Sequence, residues 1–126
     1  MIRYNYNKQV DPPGPFIHVH LSSLDGRREL RDVPAQMDTG ADLSVVPESA
    51  VLELQLVAAE EVMVTSLGNQ KSAAMTYFLQ AAPRDGKSVF IEVVANPDEP
   101  NVLLGRNFLN HFHVVLNGPE LVLELS

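Results

Sequence analysis

The chain contains no cysteine. A disulfide framework, a thiolate zinc site and a cysteine nucleophile are therefore excluded, while a reducing compartment is permitted without being required. Basic residues are scarce: nine Lys and Arg stand against sixteen Asp and Glu, which leaves a formal net charge of −7 and a pI near 4.9. No segment gathers the excess of Lys and Arg that a phosphate backbone or an anionic membrane surface attracts. Nucleic acid and membrane are accordingly not expected as partners, and the acidity reads as solubility. Also missing is any run of about 18 apolar residues, and the opening MIRYNYNKQVDPPGP holds no apolar stretch of signal-peptide length. The expectation is a cytoplasmic protein, unless a precursor segment is missing from the chain.

What is present is the composition of a globular domain: 126 residues, 45% apolar and 20% charged, expected to form one domain over residues 1–126 and small enough that association with another copy would add useful burial. The dominant pattern is that of short strands. In PFIHVHL, Ile17, Val19 and Leu21 alternate with Phe16, His18 and His20, the period of a half-buried strand. Asp25-Gly26 marks a turn before RELRDVPAQM, so a hairpin leads up to Asp38. LSVV reads as strand, and Pro47 followed by ESAVLELQL predicts a short helix with Pro in its first turn. EVMVTS and SAAMTYFLQ flank Leu67-Gly68-Asn69-Gln70 as a second hairpin. SVFIEVVA and NVLL are further strands on either side of the acidic NPDEPN loop, and a short helix is expected from Arg106. HVVLNGPELVLEL predicts a terminal hairpin turning at Asn117-Gly118, with Leu121, Leu123 and Leu125 on its apolar face. Many short strands with two brief helices predict an all-β barrel or sandwich-like domain.

Within VPAQMDTGADLSVVP, a polar trio, Asp38, Thr39 and Gly40, interrupts an apolar run. A helix cap or a turn would account for it without chemistry. The second feature is PNVLLGRNFL, where a leucine-rich strand runs directly into Gly105 and a helix opening at Arg106. Together, DTGAD and PNVLLGRNFL resemble the retropepsin family, the single-domain aspartic proteases of retroviruses and their cellular and bacterial relatives. The likeness extends from about Pro15 to Leu109, with the central hairpin where a flap would lie.

The resemblance implies a closed β-barrel with a flap hairpin and one or two short helices, working as a homodimer. One carboxylate cannot both activate a water and protonate a leaving group, whereas two sharing a site and a single proton can divide those roles. This chain carries one DTG sequence, so the second Asp38 would come from an identical subunit across a two-fold axis, and monomers should be inactive. The catalytic trio would be Asp38, Thr39 and Gly40, with Thr39 bonding the partner's loop and Gly40 admitting substrate backbone. Substrate contacts are expected from Gln36, Ala41, Asp42, Ser66, Leu67, Gly68, Val102 and Leu103, with Leu67 as the apolar flap contact. Asp42 and Arg106 match positions that form an ion pair, for which bidentate geometry is the expectation. Ala41 has no hydroxyl to give the carboxylate, which implies a mildly acidic to near-neutral optimum. No cofactor or metal is expected.

Other signals carry less. His18 and His20, and His111 and His113, each share a strand face, but no carboxylate or thiolate cluster is placed to complete a zinc site. Ser44 and Ser49 have no G-x-S-x-G elbow around them. The resulting expectation is an aspartic endopeptidase acting on extended peptides, with a catalytically weak or inactive peptide-binding or dimerisation module as the alternative.

Overall fold

The computed structural model describes residues 1–65 and 67–126. Ten strands and two short α-helices make up the described residues: β1 (Ile2–Asn5), β2 (Phe16–Ser22), β3 (Glu29–Met37), β4 (Ser44–Pro47), α1 (Glu48–Leu54), β5 (Ala58–Thr65), β6 (Lys71–Pro83), β7 (Val89–Asn96), β8 (Val102–Leu104), α2 (Arg106–Leu109), β9 (Val114–Asn117) and β10 (Val122–Leu125). Strands β2, β3, β8, β4, β7 and β6 pair in that order, and β2 pairs back to β6 to close a six-stranded barrel. Closure leaves those six strands without a free edge. Strand β5 stands outside the ring and pairs with β6, forming the flap hairpin around a 3-10 turn at Leu67–Asn69.

The barrel interior follows from period two. Ile17, Val19 and Leu21 of β2, Ala35 and Met37 of β3, Leu79 and Ala81 of β6, Ile91 and Val93 of β7, and Val102 and Leu104 of β8 are all buried, while their neighbours face outward. Helix α1 buries Ala50, Val51 and Leu54, a one-sided spacing, and ends at Gln55 in the left-handed region, where the Leu56 amide reaches back to the Val51 carbonyl. Pro47 is the last residue of β4 and the N-cap of α1 rather than part of its first turn.

Two parallel pairings position the site. Strand β3 runs beside β8 with Met37 opposite Leu104, and β4 beside β7 with Val45 opposite Val94. The first brings Asp38, just past the end of β3, next to Gly105, just past the end of β8.

The terminal hairpin forms as the sequence predicts, but its apolar face differs. Leu121 lies in the turn with φ 52°, and Val122 is buried beside Leu123 and Leu125. Strand β1 was not anticipated: it pairs along β10 from Ile2 opposite Leu125 to Asn5 opposite Val122, giving a three-stranded sheet ordered β1-β10-β9. Its four residues alternate too briefly to stand out in sequence. Among the described residues no helix is long and apolar enough to cross a membrane.

Candidate active site

Asp38 is fixed by main chain on both sides. Its amide donates to the Leu104 carbonyl at 2.9 Å, its own carbonyl accepts from the Ala41 amide at 3.2 Å, and carboxylate Oδ1 accepts from the Gly40 amide at 3.0 Å. A methyl group on Gly40 would stand 3.3 Å from that oxygen, tight enough to disturb it. Asp38 is half-buried, whereas Thr39 and Gly40 are exposed.

The loop after Asp38 rests on the start of α2. The Arg106 amide donates to the Ala41 carbonyl at 2.8 Å and the Asn107 amide to the Asp42 carbonyl at 3.2 Å. The fit depends on Gly105 having no side chain, since a Cβ there would lie 2.6 Å from the Leu43 carbonyl oxygen. The Arg106 guanidinium pairs with the Asp42 carboxylate, but it does so through one nitrogen and donates with the other to the Thr39 carbonyl at 2.8 Å. The fork expected to grip one carboxylate twice is divided between side chain and backbone, because the loop carbonyl takes the second donor. Both ends remain exposed, so the pair's contribution lies more in orientation than in stability.

Beneath the loop lies a polar network that sequence reasoning missed. The Asn107 side-chain oxygen accepts from the Ser44 amide at 3.0 Å and the Ser44 hydroxyl at 2.9 Å, and its amide donates to the Glu92 carbonyl at 2.7 Å. The Ser44 hydroxyl in turn accepts from the Gly105 amide at 3.0 Å. Ser44 is fully buried, and a buried hydroxyl demands partners. The one available hint was a serine inside the apolar LSVV strand.

A cavity of about 600 Å³ opens beside Asp38. Its walls are Gly40 to Leu43 of the loop, Val45 of β4, Val94 of β7 and Val62 to Thr65 of the flap strand β5, mostly apolar. Register extends one wall into a row: Val45 stands opposite both Val94 and Leu103, and Leu103 opposite Gln36, so these four side chains face one way. Gln36 and Leu103 continue that face beyond the cavity's own lining, with the Gln36 amide close to Gly14. Val102, one residue along, is buried in the barrel instead. Ala41 and Asp42 do line the cavity. At the flap tip Gly68 and Asn69 have φ of 81° and 59° and are exposed, as a tight turn requires. Ser66 and the Leu67 side chain lie outside the described residues.

The histidines go elsewhere. His20 pairs with Glu29 at 3.1 Å, His18 faces the Tyr4 ring, and His113 exchanges backbone hydrogen bonds with Ser126. Among the described residues no three His, Asp or Glu side chains converge as a metal-binding group.

A closed β-barrel with Asp-Thr-Gly on a loop seated against a Gly-Arg-Asn helix start, under a flap hairpin, defines the retropepsin-like aspartic protease class. The comparisons agree. The family model described as retroviral aspartyl protease matches residues 13–117. A retropepsin-like aspartic protease from Rickettsia conorii superposes with a TM-score of 0.66 at 18% identity, covering 98% of this chain and 88% of its own. EIAV protease, solved with the inhibitor HBY-793, gives 0.59 at 17% identity, covering 86% and 93%. The foamy viral protease-reverse transcriptase gives 0.56 at 19% identity, with 79% of this chain aligned to 12% of that one. No curated protein sequence matches the chain. The chain belongs to the retroviral aspartyl protease family.

Proposed function

We propose that the protein is an aspartic endopeptidase that cleaves extended peptides as a homodimer. The observation that carries this reading is Asp38, half-buried, held by backbone on both sides and presented at the wall of an apolar cavity that the flap strand completes. A carboxylate so placed can polarise a water toward a peptide carbonyl, but the amide leaving group also needs an acid. The second group is Asp38 of a second copy. Two such carboxylates about 3 Å apart hold one proton between them, so one serves as base and the other as acid.

Each neighbour takes a role in this reading. Thr39 and Gly40 frame the two-fold contact, and Arg106 steadies the loop through the Thr39 carbonyl and Asp42. The substrate lies as an added strand between flap and barrel, its alternate side chains in apolar pockets bounded by Val45, Val62, Val94 and Leu103, with Gln36 as a polar wall. Ser66, Leu67 and Gly68 close over it and exclude water.

The test combines cleavage of a peptide library with the solution mass of the same sample. The expected result is a dimer whose cleavage is blocked by a statine-type transition-state mimic. Asp38→Asn should lose cleavage and keep both fold and dimer. Cleavage by that variant at the parent's rate, or binding of peptides by the parent without turnover, would reject the mechanism.

A further inference from the structure

Closure of the barrel leaves its six strands without free edges, but among the described residues three other strands keep one each: β5 in the flap, and β1 and β9 on the two sides of the terminal sheet. Edges are ordinarily guarded by charge, proline or a bulge. β5 carries Glu60, Glu61 and a register shift, and β1 carries Arg3. β9 has none of these guards. Residues 112–118 read FHVVLNG, with no Asp, Glu, Lys, Arg or Pro in a chain of net charge −7, and the register of β9 against β10 is unbroken. Two of its apolar side chains stand in the open, Val115 at 41% and Leu116 at 48% exposure.

The hydrogen-bonding phase of this edge is fixed. His113 and Ser126 exchange both of their backbone bonds, at 2.8 and 3.0 Å. Antiparallel bonding alternates, so Val115 with Glu124 and Asn117 with Val122 are the next bonded pairs, while Val114 and Leu116 turn their N–H and C=O groups away from β10. Each copy therefore offers two donors and two acceptors in a row. The row ends there: the Phe112 amide already donates to the Leu109 carbonyl, and the Gly118 carbonyl already accepts from the Leu121 amide.

We propose that β9 is the surface on which a second copy of the chain docks, pairing antiparallel with the second copy's β9 about a two-fold axis through Val115. The inference rests on the homodimer reading above and says where the two copies join. An antiparallel pair of identical edges is self-complementary, as a two-fold interface must be. One register uses every free group. It sets Val114 opposite the second copy's Leu116 and Leu116 opposite its Val114, which makes four hydrogen bonds, and places Val115 opposite its own counterpart in the close, non-bonded position. A register shifted to either side keeps half of those bonds and meets the Phe112 amide or the Gly118 carbonyl, both already engaged. The two three-stranded sheets merge into one of six, and Val115 and Leu116 are covered. The same axis can serve the active site. Gly105 adjoins the Asp38 loop, and with the four-residue α2 between them Val114 starts within roughly 25 Å of Gly105.

The chain has no cysteine, so a single introduced thiol reports this contact directly. In the full chain carrying Val115→Cys, the two thiols face each other across the axis with Cα atoms about 4.5 Å apart, inside the range a disulfide spans. Mild oxidation, at a concentration where the parent is dimeric, should turn most of the protein into a covalent dimer that cleaves peptides as the reduced form does. Glu124→Cys, one strand further in on the same face, sets its thiols about 14 Å apart and should cross-link about tenfold less. Leu116→Pro removes two of the four bonds by symmetry yet spares the β10 ladder, because that N–H points outward. Its dimer dissociation constant, measured by sedimentation, should rise about tenfold or more. A dimeric parent whose Val115→Cys variant cross-links no better than Glu124→Cys would overturn the β9 contact and leave the homodimer reading standing. So would a covalent dimer that is inactive where the reduced variant cleaves. A parent that stays monomeric at every concentration would reject both.

Discussion

Gly105→Ala adds one methyl group at a point where backbone surrounds the space. The new Cβ would lie 2.6 Å from the Leu43 carbonyl oxygen, 2.7 Å from its carbon and 2.9 Å from the Ala41 carbonyl oxygen. No side chain can rotate away, so the loop itself must retreat by about 0.8 Å to restore ordinary contact near 3.4 Å. Gly105 has φ −82° and ψ −176°, conformations open to alanine, so the whole effect is steric. Retreat of the loop lengthens the Arg106 to Ala41 and Asn107 to Asp42 hydrogen bonds, each contributing about 1 kcal/mol. Overpacking adds about 1–3 kcal/mol. The expected destabilisation is about 2–4 kcal/mol, a fall in Tm on the order of 10 °C for a chain of this size. Asp38 hangs from the Leu104 carbonyl next door, and a shift approaching 1 Å in a reacting group costs about 100-fold in kcat/KM. Calorimetry and cleavage of a fluorogenic peptide measure the two effects. A variant that melts within about 2 °C of the parent and cleaves at the same rate would refute the steric argument.

Two further outcomes follow from contacts outside that glycine. Asn107→Ala leaves the Ser44 amide and the Glu92 carbonyl without their partners in a partly buried setting, and should cost about 2–4 kcal/mol in urea unfolding; Asn107→Asp keeps the acceptor toward Ser44 but sets a carboxylate oxygen against the Glu92 carbonyl, so it too should destabilise, and an Asp variant as stable as the parent would reject the donor half of the role. Arg84 holds the Asp32 carboxyl below the ordinary range, chiefly by hydrogen bond at 2.9 Å, so the stability it lends is present above the ordinary Asp pKa and is lost as pH falls through the depressed value. Asp32→Asn should flatten part of the acid limb of stability against pH, and an unchanged limb would remove Asp32 from the account.

The barrel was legible where physics is local. Alternation in PFIHVHL, the Asp25-Gly26 and Asn117-Gly118 turns and the β-branched runs each act within a few residues, and each forms as expected. The Asp-Thr-Gly loop could be placed for a different reason: Asp38, Thr39 and Gly40 are contiguous, and Gly105 and Arg106 follow a strand whose pairing with β3 brings them alongside. What escaped depends on pairs distant in sequence. Ser44 meets Asn107 because β4 and α2 dock, which joins positions 63 residues apart. Its one local trace is a serine inside the apolar LSVV strand, which does not name the partner. Strand β1 exists through its partner β10, since four alternating residues hold no strand alone.

The way the loop is built argues for its completion by a second copy. Below it the packing is tight and hydrogen-bonded: Ser44 is buried with three hydrogen bonds, and Gly105 packs against the Leu43 backbone. Above it, Thr39, Gly40 and Asp42 are exposed. A loop made rigid on one face and bare on the other suits an interface, because ordering it has been achieved during folding and binding need not add that cost. In the proposed homodimer an identical loop would cover this face and also supply the second acid. If the bare face were only solvent-exposed surface, Thr39→Glu would be harmless; placed on a two-fold axis it sets two carboxylates against each other and should shift the solution mass to monomer while Asp38→Asn leaves it unchanged.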